Sequence, residues 1–133
     1  MNELFHIDRF QVQEGELSAS SSLNPMHEIF QGHFPGQPVL PGVCMVRIAQ
    51  ELLEKAIQCP LELLKADQIK FLAVIDPRQT RSFEAKMNYS RPGEESLMAG
   101  GFFFNGETVY FKLQGAEFRT VPPHRWLGKG INE

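Results

Sequence analysis

Apolar positions along this chain follow two rhythms. A dense apolar run with a period of three to four fills residues 42–58, and alternating or mixed segments flank it on both sides. Residues 3–12 (ELFHIDRFQV) and 15–23 (GELSASSSL) read as two strands around Gln13-Glu14, with Leu17, Ala19 and Ser21 alternating with polar neighbours. Asn24-Pro25 opens an irregular segment that lasts to Pro41.

The run 42–58 (GVCMVRIAQELLEKAIQ) predicts a helix whose first turns are apolar almost all round: Val43, Cys44, Met45, Val46, Ile48 and Ala49. Leu52, Leu53, Ala56 and Ile57 continue the apolar side. Arg47, Gln50, Glu51, Glu54, Lys55 and Gln58 fall at spacings of three and four and form one polar stripe. Such a helix is expected to be buried over most of its circumference. A proline is tolerated at its start, where its missing N–H would be unpaired anyway, and Cys59-Pro60 ends it.

Beyond the helix, residues 61–65 (LELLK) read as a short turn. Residues 68–75 (QIKFLAVI) read as a strand broken at Asp76-Pro77. Residues 81–90 form another, with Phe83, Ala85 and Met87 on one face, and Arg91-Pro92-Gly93 turns the chain. Asn105-Gly106, between two strand-like runs in 96–121, signals a hairpin. The order is two strands, a loop, one helix and about four antiparallel strands. This predicts an α+β fold in which an antiparallel sheet wraps one central helix. Its open edges and half-exposed helix are expected to be covered by a second subunit.

Composition narrows the class. With 133 residues and no repeat or linker, one domain over 1–133 is expected. Eleven phenylalanines imply a large aromatic core or an apolar channel. The net charge of −3 argues against nucleic acid as the main partner. No apolar run approaches the ~20 residues of a membrane span, and the opening MNELFHIDRF lacks a signal-peptide core. Cys44 and Cys59, both on the helical run, would stand more than about 20 Å apart, too far for a bridge. No CxxC or HExxH spacing occurs. These features predict a soluble cytoplasmic protein without metal.

Candidate chemistry lies in QGHFPGQPVLPGV, residues 31–43. Each X-Pro step pushes Phe34, Gln37 and Leu40 toward extended geometry, and Gly32, Gly36 and Gly42 permit turns or close approach. The loop therefore holds His33 near the start of the helix. Free N–H groups there, with the helix dipole, can polarise a carbonyl oxygen. A base beside such a site suits removal of a proton next to a thioester. A purely local hydrogen-bonding role for His33 is the alternative.

The same stretch resembles the signature of the 3-hydroxyacyl-acyl-carrier-protein dehydratases of the hotdog fold, densely from Phe30 to Val43. IKFLAVIDP and FNGETVYFKLQGAEF are similar to that family's later strands, more weakly. The resemblance implies that His33 removes the substrate's C2 proton and that the Gly42 N–H polarises the thioester carbonyl. Phe34, Pro35, Gly36, Val39, Pro41 and Val43 would line the substrate. No cofactor is implied. The implied partners are acyl carrier protein and a second hotdog subunit, of the same or a related chain.

One position departs from the pattern. The family's helix acid, which protonates the departing 3-hydroxyl, falls five residues after the glycine, where this chain has Arg47. Arginine stays protonated and cannot cycle as an acid. Three readings follow. Glu51, one turn on, takes over, although displaced by about 6 Å along the axis; a different subunit brings its own acid; or dehydration is lost, leaving acyl binding or thioester hydrolysis. The bland alternative is an Arg47–Glu51 i,i+4 ion pair.

His27 and Glu28 precede the loop and are secondary candidates. Two basic segments could attract an acidic carrier protein: Lys70, Arg78, Arg81, Lys86 and Arg91, and then Arg119, Arg125 and Lys129. Phe71, Phe83, Phe102, Phe103 and Phe104 are candidates for core or for an acyl tunnel wall.

Overall fold

The computed structural model describes residues 3–32 and 38–122. The chain opens with a hairpin of β1 (Phe5–Gln13) and β2 (Glu16–Leu23). Its turn is Glu14-Gly15, both at positive φ (47° and 80°), one residue later than the sequence suggested. A short helix, α1 (Ile29–Gly32), follows within the segment read as irregular. Then come α2 (Gly42–Ile57), β3 (Leu61–Lys65), β4 (Gln68–Phe71), β5 (Ser82–Ser90), β6 (Ser96–Asn105) and β7 (Thr108–Thr120).

The described strands form one antiparallel sheet in the order β1-β2-β5-β6-β7-β3, with β4 also pairing β7. Its concave face holds α2, the hotdog arrangement. Met45, Ile48, Ala49, Leu52 and Leu53 form the buried face of the helix. Against them the sheet presents alternate residues: Leu17 and Ala19 from β2, Phe83, Ala85 and Met87 from β5, Phe103 from β6 and Phe111, Leu113 and Phe118 from β7. Each fully buried aromatic or leucine contributes about 1.5–3 kcal/mol of transfer free energy.

Three expectations need correcting. LELLK is a strand, not a turn. Leu61 and Leu63 pair with Thr120 and Phe118 of β7, and α2 ties the strand's start. Glu54 accepts the Leu61 N–H at 2.8 Å, while Gln50 donates to the Leu61 carbonyl at 2.9 Å. The strand over 68–75 stops at Phe71, because the Leu72 and Ala73 N–H groups both turn to the single Tyr110 carbonyl. The Ile75 carbonyl then accepts the Leu40 N–H at 2.8 Å. Finally, α2 is not buried round most of its circumference in the single chain: Val43 is 73% exposed, and Cys44 and Val46 are only half-buried.

Gln58 ends α2 in the left-handed conformation, donating its N–H to the Glu54 carbonyl. Both cysteines are free. No described helix is long and apolar enough to cross a membrane.

Candidate active site at the start of the central helix

Gly42 is the first residue of α2, and Pro41 precedes it in extended geometry. Among the described residues no side chain caps the helix. The first-turn N–H groups of Gly42 and Val43 have no described partner and lie at the positive end of the helix dipole. A Cβ on Gly42 would come within 2.9 Å of the Phe71 ring. A side chain at this position would have to push the half-exposed Phe71 ring aside. That ring ends a row of stacked aromatics on the concave face. Phe103 and Phe111 sit 4.8 Å apart, and Phe111 and Phe71 5.8 Å. Phe71 is the member of this row that stays half-exposed, at 52%.

His33, Phe34, Pro35 and Gly36 lie outside the described residues. The flanks of their segment are fixed. Phe30 is buried on one side, and Leu40 is buried on the other, with its N–H bonded to Ile75. Val39 and Pro41 are half-buried beside the helix start, and Val43 projects into solvent.

Arg47 sits one turn beyond Val43 with its side chain 70% exposed, and its Nε donates to Glu51 Oε2 at 3.2 Å. The bland i,i+4 pair is thus present, and the Glu51 carboxylate is engaged by it. Such exposed helix pairs contribute about 0.3–0.5 kcal/mol. Glu54 and Gln50, further along the polar stripe, hold β3 instead. Burial pushes the Cys44 thiol above its ordinary pKa.

The other candidates separate. His27 is a local turn residue: its Nδ1 accepts the Ile29 N–H at 3.0 Å. Phe83 and Phe103 are core. Phe102 and Phe104 are neither core nor tunnel wall, because strand alternation about Phe103 turns them to the outer face, where their rings sit 5.3 Å apart. Among the basic residues, Arg78 is engaged by both carboxylate oxygens of Asp76. Arg91 donates to the Ser96 and Glu94 carbonyls, and Arg119 pairs with Glu62. Arg125 and Lys129 lie outside the described residues. Lys70 and Lys86 remain exposed, and the structure adds Lys112, which sequence reading missed.

Comparison with known proteins decides the family. Residues 9–97 match the model of the ApeI-like family, described as ApeI dehydratase. The chain belongs to the ApeI-like dehydratase family. Among its curated relatives, the 3-hydroxyacyl-[acyl-carrier-protein] dehydratase FabZ of Shewanella sediminis is 33% identical over 127 residues, covering 82% of each protein. The protein of the same name from Deinococcus radiodurans is 30% identical over 97 residues. There the match spans 65% of the relative's length, just under two thirds. The fold is shared with the dehydratase heterocomplex ApeI:P from Xenorhabdus doucetiae, at TM-score 0.66 and 17% identity over 88% of this chain and 97% of that one. A Haemophilus influenzae thioesterase shares it too, at TM-score 0.59 and 12% identity over 88% and 78%.

Proposed function

We propose that this dehydratase-family chain handles 3-hydroxyacyl thioesters carried on acyl carrier protein, forming the trans-2-enoyl thioester and water, as one subunit of a hotdog dimer. The imidazole of His33 takes the C2 proton. The electron pair moves into the thioester carbonyl, whose growing negative charge is held by the Gly42 N–H at the uncapped end of α2. It then returns to form the C2–C3 double bond as the 3-hydroxyl leaves with a proton from an acid. Phe34, Pro35, Gly36, Val39, Pro41 and Val43 line the acyl group.

The observation that carries this reading is the pairing of an uncapped helix start with a side-chain-free residue under Phe71. It offers N–H polarity for a carbonyl oxygen where the family motif calls for one. The acid comes from the partner subunit, because Arg47 cannot release and regain a proton and Glu51 is engaged by Arg47. A partner fits the molecule. Among the described residues β4 pairs only with β7, and its other edge carries exposed Phe71, Leu72 and Val74, with Val43 of α2 also exposed, the kind of edge that pairs with another chain. That the similar Xenorhabdus structure is a heterocomplex supports a related but different subunit.

Arg47 also favours a second reading, a subunit that binds acyl chains without turning them over. The shared fold of the thioesterase makes hydrolysis the third outcome. Incubating the chain, alone and with a related hotdog subunit, with a 3-hydroxyacyl carrier thioester separates them. Enoyl absorbance that is lost in His33→Ala supports dehydration. Free acid without enoyl product indicates hydrolysis, and no turnover under either condition indicates binding alone.

A further inference from the structure

The outer face of the sheet carries a row of cations that form no ion pair among the described residues. Strand register places Lys70 of β4 opposite Lys112 of β7, Lys112 opposite Phe102 of β6, and Phe102 opposite Lys86 of β5. All three lysines are exposed. Among the described residues none of them has a carboxylate partner, whereas Lys65, Arg78 and Arg119 each have one. Like charges directly opposite on neighbouring strands destabilise a sheet, so the Lys70–Lys112 pair weakens the fold. Lys86 leans over the Phe104 ring at 5.9 Å. The row crosses a cleft of about 1020 Å³ floored by Gly100 and Gly101, which present no side chains to it.

We infer that this row is a docking strip for an acidic amphipathic helix of another protein. Neighbouring strands lie about 4.8 Å apart, so Lys112, Phe102 and Lys86 stand about 4.8, 9.6 and 14.4 Å from Lys70 along the row. Positions i+3, i+7 and i+10 of a helix lie about 4.5, 10.5 and 15 Å from i along its axis and share one face. Carboxylates at i, i+3 and i+10 with an apolar residue at i+7 therefore match the row step for step. The strip is narrow. Glu84 lies beside Phe104 and Glu16 beside Asn88, two residues to either side of Lys86 on the same face. A broad anionic surface, such as a membrane or a nucleic acid backbone, would meet these carboxylates; a single acidic helix edge passes between them. A second copy of this chain offering the same face would set lysine against lysine. The strip does not depend on the thioester chemistry at α2.

The test uses the full chain and a stapled, labelled helical peptide with Glu at i, i+3 and i+10 and Leu at i+7, read by fluorescence anisotropy. Saturable binding is expected, weakened at least about tenfold by Lys112→Glu, weakened also by Lys86→Gln, falling with salt, and absent for the Glu→Gln peptide. Lys112→Glu should at the same time raise Tm, because it replaces the Lys70–Lys112 opposition with a cross-strand ion pair. A purely structural role would not separate these readouts. No peptide binding, or equal binding by the parent and both variants, overturns the inference. So does tighter binding to a DNA duplex or to anionic phosphatidylglycerol vesicles than to the peptide.

Discussion

The outer end of the Phe71 ring meets Gly42, close enough that a methyl group on the glycine would press 2.9 Å from it. Gly42→Ala should therefore fold, since the half-exposed ring can swing aside. It should lower kcat/KM for enoyl formation by about 10–100-fold, because a small misplacement near the carbonyl is enough. Steady-state kinetics with a Tm check decide it. An unchanged kcat/KM would place the carbonyl elsewhere.

Arg47→Glu should create or increase dehydration in the chain assayed alone, with a gain of at least about tenfold, since a positioned acid typically contributes 10²–10⁴-fold. Stability should fall by less than about 1 kcal/mol, because an exposed i,i+4 attraction becomes a repulsion of similar size. A folded, substrate-binding variant that stays inert would show that residue 47 does not face the substrate.

Acid stability should depend on Asp76. Hydrogen bonds from the Arg78 side chain and from its backbone N–H hold the Asp76 carboxyl below the usual carboxylate range. With the folded-state pKa depressed, the contribution is present above the unfolded-state value of about 3.9 and is lost as pH falls through the folded value. Asp76→Asn should lower Tm at neutral pH and flatten the drop between about pH 4 and pH 2. Parallel Tm–pH curves would refute the assignment.

Ser21 offers a simpler case. Its hydroxyl is fully buried on β2, between Ile7 and Phe83 in register, and has no hydrogen-bond partner among the described residues. Ser21→Ala removes an unsatisfied group with little change in volume, so stability should hold or rise by up to about 1 kcal/mol. Denaturant unfolding measures this. A clear loss of stability would mean that the hydroxyl is satisfied in solution.

How far the sequence revealed this molecule follows from how local each signal is. The limits of α2 were readable to within a residue, because Pro41, Gly42 and the apolar period all lie inside the segment. β3 was not, because LELLK carries leucines on both faces and is held extended by β7, more than fifty residues further along the chain, and by Gln50 and Glu54 of the preceding helix. The early end of β4 depends in the same way on the Tyr110 carbonyl. At the candidate site, Gly42 and Arg47 could be placed from the motif alone, and the Arg47–Glu51 pair from its spacing. Lys112 could not be placed. The turn itself falls on Gly106-Glu107, one residue later than Asn105-Gly106. Counting back from its Asn105–Thr108 pair sets Phe102 opposite residue 111, and the irregularity between Phe103 and Phe104 shifts that partner to Lys112.

Three consecutive phenylalanines make β6 nearly indifferent to which of its faces turns inward. A one-residue slip would still bury an aromatic ring at most of these positions. Gly101 removes that freedom. Its φ of 156° and the Met87 Cα, 2.7 Å from where a Cβ would sit, admit no side chain at that crossing. A substitution there would do more than loosen the sheet: it would let newly made chains zip up out of step, with oily surface outward, and clump before they ever reached a partner.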